Sequence, residues 1–347
     1  MSHLLITGGA GFIGSHVCTL LLNSDYRITV FDNFTNSSPS SLAKIAELTT
    51  KSINFIKGDI RDFQDIDNIF KQNAREDPII GVLHFAGLKA VGESVIKPLR
   101  YWDTNVSGTR TLIKAMDENN CKTLVFSSSA TVYGFPKSNP VSESAEIAPL
   151  NPYGNSKAAV EVMLCDLAAS APDEWKIACL RYFNPVGAHE SGLIGENPNG
   201  IPNNLFPYIS QVAIGKINSL SIFGNDWNTT DGTCIRDYIH IMDLALGHKV
   251  TLEALLEDDP QFLTLNLGSG KGSSVLEVLQ TYEIVCGKKI PFRYAPRRSG
   301  DAAITVADPS LAFKKLGWRT TKTLKDMCVD SWNWQSKYPD GYGENGF

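Results

Sequence analysis

The 347-residue chain sets 32 lysines and arginines against 37 acidic residues, a net charge of -5, which excludes a basic nucleic-acid footprint spread over its surface. An apolar content of 43% is enough to bury a large core, and the length suggests two units of unequal size. Seven cysteines, at positions 18, 121, 165, 179, 234, 286 and 328, form no CxxC pair and leave an odd count, which speaks against a disulfide framework. No run approaches the ~18 apolar residues of a membrane span. A cytoplasmic setting with neither membrane nor nucleic acid as partner is therefore expected.

Residues 3–7 (HLLIT) read as a buried strand, 8–14 as a glycine-rich turn and 12–22 as a helix. A second strand, 27–31, ends at Asp32. Short apolar strands at 53–56, 79–85 and 123–126 follow, with helices between them, one of them at about 99–119. Short apolar strands alternating with helices predict a parallel sheet covered on both faces. The fold class is thus α/β, a Rossmann-type doubly wound parallel sheet with a smaller mixed α/β unit. A helix at 156–169 and a strand at 176–182 come next. After Asn184 the Gly-, Pro- and Asn-rich stretch 185–203 reads as loops over a crevice, then 206–215 as a helix and 221–223 as a strand. The tail to Phe347 reads as a surface arm. The expected division is a dinucleotide-binding unit over 1–185, to which a segment at about 235–270 returns, and a substrate-binding unit over 186–347.

In ITGGAGFIGSH, Gly9, Gly11 and Gly14 match G-x-G-x-x-G behind Gly8. Glycines there permit a tight turn and let backbone amides approach a pyrophosphate at a helix N-terminus. Asp32, eighteen residues after Gly14, stands where a carboxylate accepts hydrogen bonds from an adenosine ribose and repels a 2′-phosphate, which favours NAD over NADP. A bare G-x-G-x-x-G is also compatible with an ordinary turn; here strand, turn, helix, strand and acid agree. Asp59 and Ile60 close the third strand, where an adenine edge would lie. Phe85, Ala86 and Gly87 close the fourth, where small residues let a cofactor pass. Lys89 beyond them suits a phosphate or ribose hydroxyl, or is a plain surface lysine.

Tyr153 and Lys157 lie at i and i+4 where NPYGNSK enters a helix, so both project from one face. A phenol titrates near 10; a neighbouring ammonium favours its phenolate, NAD+ would add positive charge in the same cleft, and the phenolate then accepts a proton from a substrate alcohol. Ser127, Ser128 and Ser129 end a strand, and ligands of such sheets bind at strand C-terminal ends. The six histidines suggest no metal cluster: His84 reads as a hydrogen-bonded core residue, and Asp237, His240 and Asp243 are close in sequence without the spacing of a zinc site. No metal is expected.

Taken together, TGGAGFIGSH, FDNFTNS, GDIRD, HFAGLKAVGES, SSSATVYG, NPYGNSK, RYFNPVGAH, NNLFPYI, RDYIHIMDLA and RRSGDAA resemble the UDP-glucose 4-epimerase family of extended short-chain dehydrogenase/reductases along nearly the whole chain. The resemblance implies reversible inversion at carbon 4 of a UDP-hexose through a 4-keto sugar, with NAD retained and regenerated in each cycle. It implies Ser129, Tyr153 and Lys157 as the acid–base set. NAD would be surrounded by Gly8, Gly11, Phe12, Ile13, Gly14, Asp32, Asn33, Phe34, Thr35, Asn36, Ser37, Asp59, Ile60, Phe85, Ala86, Gly87, Lys89, Thr104, Ser129, Tyr153, Lys157 and Phe183. The UDP-hexose would meet Lys89, Ser129, Tyr153, Asn184, Asn204, Leu205, Phe223, Arg236, Tyr238, Arg298, Asp301 and Thr305. On their own, Arg236 and Arg298 are also compatible with salt bridges to Asp237 or Asp301. Many dehydratases of the superfamily carry acidic residues where this chain has Ala130 and Thr131. Two positions depart from common family patterns: Thr104 stands where bacterial members commonly have Asn, and Thr305 where some strictly hexose-specific members have Tyr. The smaller Thr305 implies acceptance of UDP-GlcNAc and UDP-GalNAc. The resemblance also implies a homodimer through the helices at 99–119 and 156–169.

Overall fold

In the computed structural model, residues 2–198, 200, 202, 204–298 and 300–343 are described; the end of the expected surface arm, 344–347, lies outside them. The strands β1 (His3–Thr7), β2 (Arg27–Asp32), β3 (Asn54–Lys57), β4 (Ile79–His84), β5 (Thr123–Ser129) and β6 (Lys176–Tyr182) run parallel. Between them lie α1 (Phe12–Asn23), α2 (Pro39–Thr49), α3 (Phe63–Asn73), α4 (Val91–Ile96), α5 (Pro98–Tyr101), α6 (Gly108–Glu118) and α7 (Pro152–Ser170). The second half adds β7 (Asn184–Val186), α8 (Leu205–Ala213), β8 (Leu220–Phe223), β9 (Ile235–His240), α9 (Ile241–Glu257) and β10 (Gln261–Leu267). It ends with β11 (Gly272–Ser274), α10 (Val275–Cys286), β12 (Phe292–Ala295), β13 (Ile304–Thr305), α11 (Ser310–Leu316) and α12 (Leu324–Lys337).

The large sheet has the order β10-β6-β5-β4-β1-β2-β3. The chain therefore reverses direction beside β1, and the crevice at that switch point opens above the C-terminal ends of β1 and β4. Side chains of β1 alternate between two cores, as the period of a strand requires. Leu4 and Ile6 pack with α1 and α9, whereas Leu5 packs with α3, α6 and α7 on the opposite face. All three are fully buried, each contributing about 1.5–3 kcal/mol of apolar transfer free energy. Of the stretch at about 235–270, β9 pairs with β7, β11 and β13 in a smaller sheet, while α9 lies against α1 and β10 joins the large sheet beside β6. A third core, around Phe206, Tyr238, Tyr282 and Met327, holds the smaller unit together.

Two local departures from the sequence reading matter for the site. The helix expected at 99–119 is broken: α5 and α6 are joined by a wider π-turn over Trp102–Ser107. A π-turn displaces the side chains after it relative to an ideal helix, and functional sites often use one. Here the turn carries Thr104 and the buried Asn105. The helix read as 156–169 begins at Pro152, because Asn151 caps it by accepting a hydrogen bond from Gly154 N at 2.9 Å and proline suits the first turn. Tyr153 thus sits in a capped first turn.

Candidate active site

One cavity of about 620 Å³ runs from the glycine turn, past the ends of β4, β5 and β6, into the smaller unit. Its first end is the cradle. Gly8 takes φ +71°, and a Cβ there would stand 2.5 Å from Ala86 N. A Cβ on Gly14 would stand 2.4 Å from Gly8 O and 2.7 Å from Gly9 Cα. Both glycines therefore let backbone meet backbone. Gly11 caps α1 with no side-chain hydrogen bond, and no acid occupies the first turn, so the positive helix end faces the cavity uncompensated by side chains. This cradle fits a dinucleotide diphosphate. Asp32 is nearly buried and accepts hydrogen bonds from Ala10 N, Phe34 N and Ser37 Oγ at 3.1, 2.9 and 2.8 Å, which fixes its carboxylate beside the cradle. Arg61 pairs with Asp59 and holds its carboxyl down at about 2.

Of the residues expected around cofactor and substrate, all but two line this cavity. The two are Phe34, whose φ is +59° and whose ring stacks on Phe55 at 4.9 Å, and Thr305, which pairs with the lining residue Arg236 across β13 and β9.

The middle of the cavity holds Ser129, Tyr153 and Lys157. Ser129 closes β5 and accepts hydrogen bonds from Thr131 N and Thr131 Oγ1 at 3.2 and 2.8 Å. Lys157 Nζ donates to Ser127 O at 2.6 Å and stands 4.8 Å from the centre of the Phe126 ring. Burial pushes the Tyr153 phenol up, against the opposing pull of the Ser129 hydrogen bond and the Lys89 charge. Burial pulls Lys157 down to about 8, against the pull of Glu161. Burial disfavours the charged form of both groups, and a positive charge brought by a bound cofactor would add to the ammonium in favouring the phenolate.

The Lys157 shift has a measurable sign. An unfolded lysine titrates at 10.5, so between pH 8 and 10.5 the unfolded chain holds more of this proton and stability rises with pH. The cost of burying the ammonium is full below pH 8. Cofactor-free Lys157→Met no longer has that cost, so its Tm minus that of the wild type is expected to fall as pH rises from 7 towards 10. Thermal melts across that range read the difference, and a rising one would contradict a depressed lysine.

The far end lies in the smaller unit. Asp301 sits between two guanidinium groups, 3.6 Å from Arg236 Nη2 and 3.1 Å from Arg298 Nε. Both readings of these arginines therefore hold: they are ion-paired and they line the cavity. Two cations share one carboxylate, leaving one positive charge in surplus. Asp237 is not their partner; it accepts from Ser269 N, Gly270 N and Ala307 N. Arg298 lies over the Phe223 ring at 4.6 Å, and Asn184 Nδ2 donates to Asp237 O at 2.9 Å. Lys89 pairs with Glu196 at 2.8 Å.

His84, His240 and Asp243 have local partners. His84 bonds Thr7 and Thr109, and burial lowers it to about 3. His240 pairs with Asp330 at 3.0 Å, and Asp243 accepts from Thr321 N and Lys322 N. Among the described residues no cluster of metal-binding side chains occurs, and no helix is long and apolar enough to cross a membrane.

Three residues that fix the surroundings of the cavity escaped sequence reasoning. Thr131 holds Ser129 but lies inside a run of small polar residues with no distinguishing spacing. Asn105, buried in the π-turn, bonds Leu88 N, Leu88 O and Ser156 Oγ, tying the β4 loop to α7. Glu196 lies in a stretch legible only as loop.

A family profile described as GDP-mannose 4,6 dehydratase matches residues 5–331. The chain is 51% identical over 339 residues to UDP-glucose 4-epimerase of Bacillus subtilis, covering 98% of each. It is 52% identical over 340 residues to that of Pasteurella multocida, covering 98% of this chain and 99% of the relative. The fold matches the crystal structure of UDP-glucose 4-epimerase from Bifidobacterium longum in complex with NAD+ and UDP, with a TM-score of 0.93 and 47% identity over 98% of this chain and 100% of that one. With its cradle, strand-end serine and helix tyrosine in one cavity and such likeness along nearly its whole length, the chain belongs to the UDP-glucose 4-epimerase family of extended short-chain dehydrogenase/reductases.

Proposed function

We propose that the chain interconverts UDP-glucose and UDP-galactose, with Ser129, Tyr153 and Lys157 as the acid–base set. One observation carries this: these residues stand in a single cavity between the glycine cradle and the Arg236–Asp301–Arg298 cluster. NAD is the cofactor, held at its diphosphate by Gly8 to Gly14, at its adenosine by Asp32 to Ser37 with Asp59 and Ile60, and at its other end by Phe85 to Lys89, Thr104, Lys157 and Phe183. Bound there, it supplies a reversible hydride acceptor next to the acid–base set.

Arg236 and Arg298 bind the UDP diphosphate with their surplus charge, helped by Asn184, Asn204, Leu205, Phe223 and Tyr238. The grip on this remote end fixes the reacting carbon and leaves the hexose free to turn about its link to the diphosphate. Thr131 turns the Ser129 hydroxyl, and Ser129 and Tyr153 hold the sugar's 4-oxygen. Tyr153 takes the proton of the 4-hydroxyl as the sugar becomes a 4-keto sugar. It returns the proton to that oxygen once the opposite face is presented. Ala130 and Thr131 place no carboxylate where dehydratases use one, and Thr131 Oγ1 is committed to Ser129. Incubation with UDP-glucose alone tests the reading: UDP-galactose is the expected product, and a dehydrated, decarboxylated or C5-inverted sugar would refute it.

The same site is proposed to take UDP-GlcNAc and UDP-GalNAc. Support comes from Thr305, which pairs with the cavity-lining Arg236 and is smaller than the tyrosine of some strictly hexose-specific members. UDP-GalNAc turnover within about a hundredfold of UDP-galactose is expected; a rate equal to blank removes this extension.

A homodimer is also proposed. Val95, Ile96 and Leu99 on α4 and α5 and Val162 on α7 are exposed by 62, 79, 80 and 62%, an apolar face that a second copy would cover. Light scattering is expected to give twice the 38.0 kDa chain mass, and Leu99→Glu to shift it towards one. The seven free cysteines support a cytoplasmic setting.

A further inference from the structure

Glu196 lines the cavity, and its side chain is only 9% exposed. Its Oε1 accepts hydrogen bonds from Lys89 Nζ at 2.8 Å and Asn204 Nδ2 at 3.1 Å, so one carboxylate joins the loop after β4 to the entry of α8. The loop carrying it is fixed from beneath. Trp334 Nε1 donates to Glu196 O at 3.3 Å, and Gly195 N donates to the Tyr342 hydroxyl at 3.3 Å. Gly195 lies so close on Trp334 that a Cβ there would stand 2.3 Å from its ring. The carboxylate is thus a built feature of the wall, held by the C-terminal helix.

The two ends of the substrate region differ in charge. At the diphosphate end, two arginines share Asp301 and one positive charge remains. Lys89 follows Gly87, whose Cβ would stand 3.9 Å from Lys157 Nζ, so the second pair lies on the stretch of cavity wall next to the acid–base set. There Lys89 meets Glu196 one to one, so that pair carries no surplus charge. Glu196 is nearly buried, whereas the Lys89 side chain reaches it from a half-exposed position, 46% open.

We propose that Glu196 is a specificity-determining residue: by neutralising Lys89 it makes the hexose end suit an uncharged sugar and reject a hexuronate. The proposal rests on the nucleotide-hexose reading above. A neutral hexose offers hydroxyls that Lys89, Asn204 and Glu196 can bond without separating charge. A hexuronate adds a carboxylate beside Glu196 and finds the nearby cation already paired, a like-charge placement without compensation. Discrimination by an unpaired or repelled group is stronger than discrimination by shape alone.

The test compares kcat/KM for UDP-galactose and UDP-glucuronate in wild type, E196Q and E196D. The wild type is expected to strongly prefer UDP-galactose. E196Q keeps the shape and the bond to Asn204 but removes the charge, so its hexuronate-to-hexose ratio is expected to rise about tenfold or more. E196D restores the charge and is expected to restore the wild-type ratio, which a merely structural role would not do. An E196Q ratio within twofold of the wild type overturns the proposal, as does equal use of both sugars by the wild type. If E196Q fails to fold, inhibition of the wild type decides: UDP-glucuronate should bind about tenfold more weakly than UDP-glucose, and equal binding overturns the proposal. Failure of the wild type to convert UDP-galactose at all would instead remove the underlying reading.

Discussion

Tyr153→Phe is expected to lower kcat for UDP-galactose by about a thousandfold or more while leaving NAD bound, because it deletes one hydroxyl and nothing else. The helix start survives, since the Asn151 cap and Pro152 fix the turn independently of that hydroxyl. Lys157 keeps its bond to Ser127 O, and Ser129 keeps Thr131. The cofactor wall therefore stays intact while the proton acceptor disappears. Neither remaining group replaces it: a serine hydroxyl is a weaker acid than the phenol, and Lys157 is turned to the strand end. Turnover and nucleotide released on denaturation, measured on one preparation, separate the two effects. A variant retaining more than about a tenth of wild-type kcat removes Tyr153 from the acid–base role.

The second large effect is at the cradle. Gly14→Ala is expected to yield protein with less than about a tenth of the wild-type NAD content, and NAD affinity lower by a hundredfold or more. The added methyl would stand 2.4 Å from Gly8 O and 2.7 Å from Gly9 Cα, which are backbone atoms that cannot rotate aside. Gly8 cannot yield either, being pressed against Ala86 N on the neighbouring β4 loop with φ at +71°. Relief must come from moving the start of α1, which carries the amides facing the diphosphate. Bound-nucleotide content and calorimetric titration with NAD read the outcome; normal NAD content would show that the cradle tolerates a Cβ and that the fit is misread.

How much of this was legible in the sequence depended on the kind of signal. The sheet was readable because each strand is a short apolar run ended by small or polar residues, and backbone pairing follows from that pattern. Gly8, Gly14 and Asp32 were readable because a tight backbone approach admits few side chains. Ser129, Tyr153 and Lys157 were readable from a strand end and an i, i+4 spacing. The π-turn over Trp102–Ser107 was not, since its apolar periodicity mimics a continuous helix and the extra residue per turn depends on packing. The local setting of Phe34 and Thr305 was not legible either, since neighbours in a motif need not share a direction: one has a positive φ and a ring stacked on Phe55, and the other pairs with Arg236 across two strands. The burial that opposes charge on Tyr153 and Lys157 was not legible, because spacing shows which groups are near but not how far water is excluded. Glu196 was invisible because its meaning comes from Lys89 and Asn204, 107 and 8 residues away in sequence.

The central claim is that a tyrosine beside a retained nicotinamide cofactor inverts a sugar whose nucleotide handle stays clamped. Purified protein carrying its own NAD, given UDP-galactose and no added cofactor, reports on it directly by nucleotide-sugar chromatography. The expected result is an equilibrium mixture of UDP-galactose and UDP-glucose after many turnovers per chain. UDP-galactose recovered unchanged from folded, cofactor-loaded protein, or conversion that stops when one equivalent of NAD is consumed, would contradict the account.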